Sequence, residues 1–149
     1  MRRPSVPHST ATRPSNDAAG SASAKRPLVF VVDQDPHVFR LLQWFVGGEY
    51  LLELFGDGYA ALDRVRKTRP AALITEILVP QLDGLTLCRL LKADPLTAGV
   101  PILVWSMMSS ADRARQSGAD DFFEKPLEKQ RLLTSLRRLI ELPQRGAGA

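Results

Sequence analysis

The side chains able to do chemistry in this sequence fall just after short apolar runs. Asp33, Gln34 and Asp35 follow Leu28–Val32, and Glu76 closes the run Ala71–Glu76. Ser106 ends Val100–Ser106, and Lys125 follows Asp121–Glu124. The set is acidic and hydroxylic, with a single lysine. Covalent catalysis by Lys125 would need a nucleophile, a base and an orienting group beside it, and nothing nearby supplies them, so the residues argue against an enzyme. His8 and His37 have no partner at metal-ligand spacing, and Cys88, the only cysteine, can form neither a disulfide nor a thiolate cluster. Cys88 reads as a small buried apolar residue in a reducing, cytoplasmic setting. Asp35 precedes Pro36, which suits a helix N-cap.

The elements that position these residues alternate regularly. Leu28–Val32 has strand length, and Pro36–Val46 places Val38, Leu41, Leu42 and Phe45 on one helical face, with Trp44 off that stripe. Tyr50–Phe55 predicts a second strand and Gly58–Thr68 a helix. Ala71–Glu76 predicts a third strand, followed by a helix over Leu85–Lys92 with Leu87, Leu90 and Leu91 at core spacing. Val100–Ser106, with Trp105 as a core residue, is the fourth strand. Ser110–Gln116 predicts a short helix, Asp121–Glu124 the fifth strand and Glu128–Glu141 a closing helix. Five strands alternating with five helices imply a flavodoxin-like, doubly wound (βα)5 domain with a parallel sheet in the order 2-1-3-4-5. Ligand sites in such sheets lie beyond the carboxyl ends of the strands, where the chemically capable residues fall.

Charge and composition bound the partners. Residues 1–26 carry Arg2, Arg3, Arg13, Lys25 and Arg26 against Asp17 alone, which accounts for the whole net charge of +4. The remainder is neutral, which argues against nucleic-acid binding by the folded part. The same stretch is rich in Ser, Ala, Thr and Pro and holds one large aliphatic residue, Val6, so it predicts a disordered basic tail. No apolar run approaches the roughly 20 residues that span a bilayer. The expected organisation is a tail over 1–26, one domain over 27–142 and a flexible tail over 143–149. With so few Gly/Ala-rich residues after the last helix, no output domain is expected to follow.

The segments VVDQDP at 31–36, LITEILVPQLDGL at 73–85, VPILVWS at 100–106 and GADDFFEKPL at 118–127 resemble the receiver domain of bacterial response regulators, in the family's order. The resemblance implies an aspartate ending strand three that accepts a phosphoryl group, with two acids after strand one holding Mg²⁺. It also implies a hydroxyl residue on strand four and a lysine after strand five that bind the phosphoryl oxygens, and an aromatic switch on strand five. Ser106, Lys125 and Phe122 match these last roles, and a cis Lys125–Pro126 peptide is implied as well.

The departures lie at the chemistry. Glu76 occupies the acceptor position, its carboxylate one methylene farther out than an aspartate's, and Gln34 replaces one metal-binding acid. Met107 follows Ser106 where the family has a small residue, and its thioether could cover the pocket entrance. The interval from Ser106 to Lys125 falls short of the family's by nearly one helical turn, which predicts a truncated fourth helix. Three outcomes stay open for Glu76: a phosphomimic reaching Ser106 and Lys125, a static ion pair with Lys125, or retained phosphorylation. The reading is a stand-alone atypical receiver, a pseudo-receiver in two-component signalling that works as a protein-interaction module. The alternative is a Mg²⁺-dependent phosphoacceptor with residual phosphotransfer. No catalytic residue, cofactor or metal site is expected beyond weak Mg²⁺ affinity at Asp33 and Glu76. Protein partners are expected on the face of helix four, strand five and helix five, and a homodimer is a further possibility. No membrane or nucleic-acid partner is expected.

Overall fold

The computed structural model describes residues 26–141, so the readings of the two tails, with His8, lie outside the described residues. The element order is β1 (Leu28–Val32), α1 (Pro36–Val46), β2 (Leu51–Phe55), α2 (Gly58–Thr68), β3 (Ala72–Thr75), α3 (Gly84–Ala93), β4 (Ile102–Ser106), α4 (Ala111–Gln116), β5 (Asp121–Glu124) and α5 (Lys129–Glu141). All four strand pairings are parallel, and the sheet order is β2-β1-β3-β4-β5. This is the doubly wound arrangement expected from the sequence.

The sheet buries both faces because its inner strands are apolar except for Thr75 and Ser106 at the ends of β3 and β4, and strand alternation sorts the apolar residues into two cores. Val29, Val31, Leu103 and Trp105 meet Leu42 and Val46 of α1 and Leu132 and Leu136 of α5 on one face. Phe30, Val32, Leu73 and Ile102 meet Val65 of α2 and Leu87, Cys88 and Leu91 of α3 on the other. Cys88 and Trp105 are core residues, as expected, while Trp44 is 81% exposed.

Several helices start where a carboxylate can accept from an otherwise unpaired first-turn N–H. Asp35 accepts from the N–H of His37 at 2.9 Å, with Pro36 opening α1. Asp57 accepts from Ala60 at 2.8 Å, and Asp83 accepts from Leu85 and Thr86, each at 2.9 Å.

Some expected boundaries and faces shift for identifiable reasons. Tyr50 leaves β2 because its N–H is drawn back to the Val46 carbonyl at 2.9 Å, in the turn that ends α1. β4 starts at Ile102, since Pro101 has no N–H to contribute to a ladder. Leu41 and Leu90 were expected inward, but both sit at the edge of their apolar stripes and are about one-third exposed; Val46 and Cys88 take the buried positions. α4 has six residues, in keeping with the shortened interval before Lys125.

Candidate functional site

Four side chains converge at the carboxyl edge of the sheet. Asp33 leaves β1, Glu76 leaves β3, Ser106 ends β4 and Lys125 leaves β5. β3 stops at Thr75, one residue earlier than expected, although the Glu76 N–H still donates to the Val32 carbonyl at 2.9 Å. The backbone of Glu76 therefore remains tied to β1 while its side chain turns into the pocket.

The Lys125 ammonium lies between the two acids, 2.8 Å from Asp33 Oδ2 and 2.9 Å from Glu76 Oε2. The other oxygens are occupied as well. Asp33 Oδ1 accepts from the Asp35 N–H at 2.9 Å. Glu76 Oε1 accepts from the Ser106 hydroxyl and from the N–H groups of Ile77 at 2.6 Å and Leu78 at 3.4 Å. Ser106 Oγ in turn accepts from the Met108 N–H at 3.1 Å. Asp33 is 4% and Glu76 7% exposed, so water screens this network little.

Burial acts to raise the Glu76 pKa, but the hydrogen bonds from Ser106 and Lys125, the lysine's charge and the Ile77 N–H together hold it below the ordinary carboxylate value. Burial acts to lower the Lys125 pKa, yet hydrogen bonds and charge from Asp33 and Glu76 hold it above the ordinary lysine value. Each group thus fixes its partner in the charged form.

The loop after Glu76 is held closely. Gly84 donates its N–H to the Ile77 carbonyl at 2.8 Å, and a Cβ at Gly84 would lie 2.1 Å from the Glu76 carbonyl oxygen. Gln81 has φ 72° between Pro80 and Leu82, whose N–H donates to the Pro80 carbonyl at 2.8 Å, a γ-turn of the strained kind. Such a loop aims the Ile77 N–H at Glu76 by backbone geometry.

Of the residues singled out in the sequence, Asp33, Glu76, Ser106 and Lys125 come together, while Gln34 and Asp35 stay exposed on the rim. The Asp35 carboxylate caps α1, and its pKa is lowered chiefly by the His37 N–H. Met107 is 74% exposed, and the contacts that close the pocket are those of Glu76 and Lys125. Phe122 is half-buried against the Val104 and Ala114 cluster, and the Lys125–Pro126 peptide is cis. Sequence reasoning did not find the Trp105 ring, whose centroid is 5.1 Å from Lys125 Nζ. Its place beside Ser106 was the available signal.

A doubly wound parallel sheet with acids, a hydroxyl and a lysine gathered at its carboxyl edge defines a signalling-type α/β domain. The family model for the response regulator receiver domain matches residues 29–137, and the chain belongs to that family. It is 33% identical over 116 residues to the DNA-binding response regulator MtrA of Mycolicibacterium smegmatis, across 75% of this chain and 50% of that protein. It is 35% identical over 126 residues to the response regulator MprA of Mycolicibacterium vanbaalenii, across 80% and 54% respectively. The chain thus spans about half the length of the curated relatives it matches. In structure it is similar to a proposed response regulator from Chloroflexus aurantiacus, with TM-score 0.75 and 31% identity, covering 79% of this chain and all of that one. It is also similar to the signal receiver domain of a histidine kinase from Syntrophus aciditrophicus, with TM-score 0.73 and 28% identity, covering 83% and 96%. Among the described residues no helix is long and apolar enough to cross a membrane.

Proposed function

We propose that this receiver is an atypical one, an interaction module in two-component signalling whose surface is not switched by phosphorylation at the acceptor position. The observation that carries the reading is the self-contained pocket: all four carboxylate oxygens of Asp33 and Glu76 already accept hydrogen bonds from within the chain. The longer side chain of Glu76 reaches Ser106 and Lys125 by itself, the two groups that bind phosphoryl oxygens in the family. In this arrangement the donor set does not fit Mg²⁺. The ammonium of Lys125 stands between the two acids, Gln34 offers a neutral amide, and no three His, Cys, Asp or Glu side chains among the described residues are grouped to hold a metal. A metal would have to displace Lys125 from both carboxylates.

The experiment is incubation of the protein with Mg²⁺ and acetyl phosphate, followed by intact mass. The proposal expects no phosphoryl adduct, and an adduct on Glu76 would establish the alternative, a working phosphoacceptor.

The Glu76 contacts with Ser106 and Lys125 also favour a more specific form of the reading, in which Glu76 holds the domain in a phosphorylated-like state. Partners would then meet the face of α4, β5 and α5, where Phe122 reports the state of Ser106. Partner capture by wild type and by Glu76→Ala separates the two forms. A lost partner supports the phosphomimic, and unchanged capture leaves Glu76 a static structural pair.

A further inference from the structure

Two N–H directions of the Lys125 ammonium are accounted for by Asp33 and Glu76. On a further side lies the Trp105 ring at 5.1 Å, inside the range of about 6 Å over which an aromatic face attracts a cation. The Lys125 side chain is only 13% exposed, so little water competes for the ammonium.

The choice of residue at 105 points the same way. Trp105 is 3% exposed and belongs to the core between the sheet and the α1–α5 layer, where an aliphatic side chain would suffice. Its indole N–H is buried with no hydrogen-bond partner among the described residues. An unpartnered buried donor is a cost that leucine or phenylalanine would not carry. What the indole adds is the most electron-rich face of any side chain, and here that face lies against the ammonium.

We propose that Trp105 is a positioning residue for Lys125. Its ring forms the third wall of a cage whose other walls are Asp33 and Glu76, holding the amine inward with no N–H left for an anion at the pocket mouth. The inference rests on the Asp33–Lys125–Glu76 bridge and concerns the protein with Glu76 as a free carboxylate.

The test uses the full chain labelled with ¹⁵N-lysine and follows the Lys125 ammonium by NMR in wild type, Trp105→Phe and Trp105→Leu. In wild type the ammonium protons should be shifted upfield by the ring and exchange slowly enough to be seen. Trp105→Phe, which keeps an aromatic face, should retain both features in part. Trp105→Leu should lose the upfield shift and exchange at least about fivefold faster. A wild-type ammonium too fast to detect, or one unchanged in Trp105→Leu, overturns the inference. Should Trp105→Leu fail to fold, Lys125→Met in a Trp44→Phe background leaves Trp105 as the only indole. Its fluorescence should move when the neighbouring charge is removed, and an unchanged spectrum refutes the contact. The acetyl phosphate experiment reads the phosphorylation question separately, so failure of one reading is distinguishable from failure of the other.

Discussion

Replacing Lys125 by methionine keeps an unbranched stem of similar length but removes the ammonium that separates two buried carboxylates. Asp33 and Glu76 then face each other at 4% and 7% exposure without a counter-charge. Removing one partner of a buried ion pair costs about 3–5 kcal/mol, and here one lysine serves two acids, so the upper part of that range is expected at pH 7. With an unfolding entropy of about 2.1 cal/mol/K per residue, a domain of this length then loses roughly 16–20 °C in Tm. The sign of the pH effect is also fixed. Two like charges in one site favour protonation of one of them, so the deficit should shrink as pH falls from 7 towards 5. Glu76→Gln in the Lys125→Met background should recover part of the loss, because one uncompensated charge is gone. Thermal and urea melts of wild type, both single variants and the double variant provide the cycle. A Tm loss below about 4 °C for Lys125→Met, independent of pH, would show that the bridge is solvent-screened and would refute the reasoning.

The pKa directions predict two flanks in wild-type stability. Glu76 is lowered in the fold, so its contribution is complete above its unfolded value of about 4.3 and is lost as pH falls through the folded value; Lys125 is raised, so its contribution is complete below about 10.4 and is lost as pH rises through the folded value. Glu76→Gln should flatten the acid flank in pH-dependent melts, and an unchanged flank would assign it to other acids. Gly84→Ala forces a Cβ against the Glu76 carbonyl oxygen and should destabilise by about 1–3 kcal/mol with shifted Glu76 and Ile77 amides, whereas a neutral effect would mean the loop yields freely. Glu76→Asp combined with Gln34→Asp should restore Mg²⁺-dependent modification by acetyl phosphate, read by intact mass. If it does not, the exposed Met107 rim or the six-residue α4 matters more than the two acids.

The fold was legible because its signals are local and repeated: apolar runs of strand length, helical stripes, and an acid placed just before a helix at Asp35; the matching caps at Asp57 and Asp83 emerged only in the structure. The site was legible in its membership, since Asp33, Glu76, Ser106 and Lys125 each directly follow or close a strand and the topology brings strand ends together. What the residues do to one another was not. Whether Glu76 would reach Ser106, Lys125 or both depends on distances across three strands, and a backbone N–H such as that of Ile77 leaves no mark in a sequence. Trp105 was read as core, which it is, but its second contact with Lys125 arises only where two strand ends come side by side. Leu41 and Leu90 fit an apolar spacing yet lie at stripe edges, where spacing alone does not decide burial.

The central claim is that the pocket is satisfied by its own side chains and does not take up a phosphoryl group. Its most direct measurement is a backbone NMR titration of the wild-type protein, first with Mg²⁺ and then with beryllofluoride, which occupies the phosphoryl position of competent receivers. The account predicts unchanged amides for Glu76, Ile77, Ser106, Phe122 and Lys125 through both additions. Saturable shifts at these residues, with Mg²⁺ required for beryllofluoride, would contradict it.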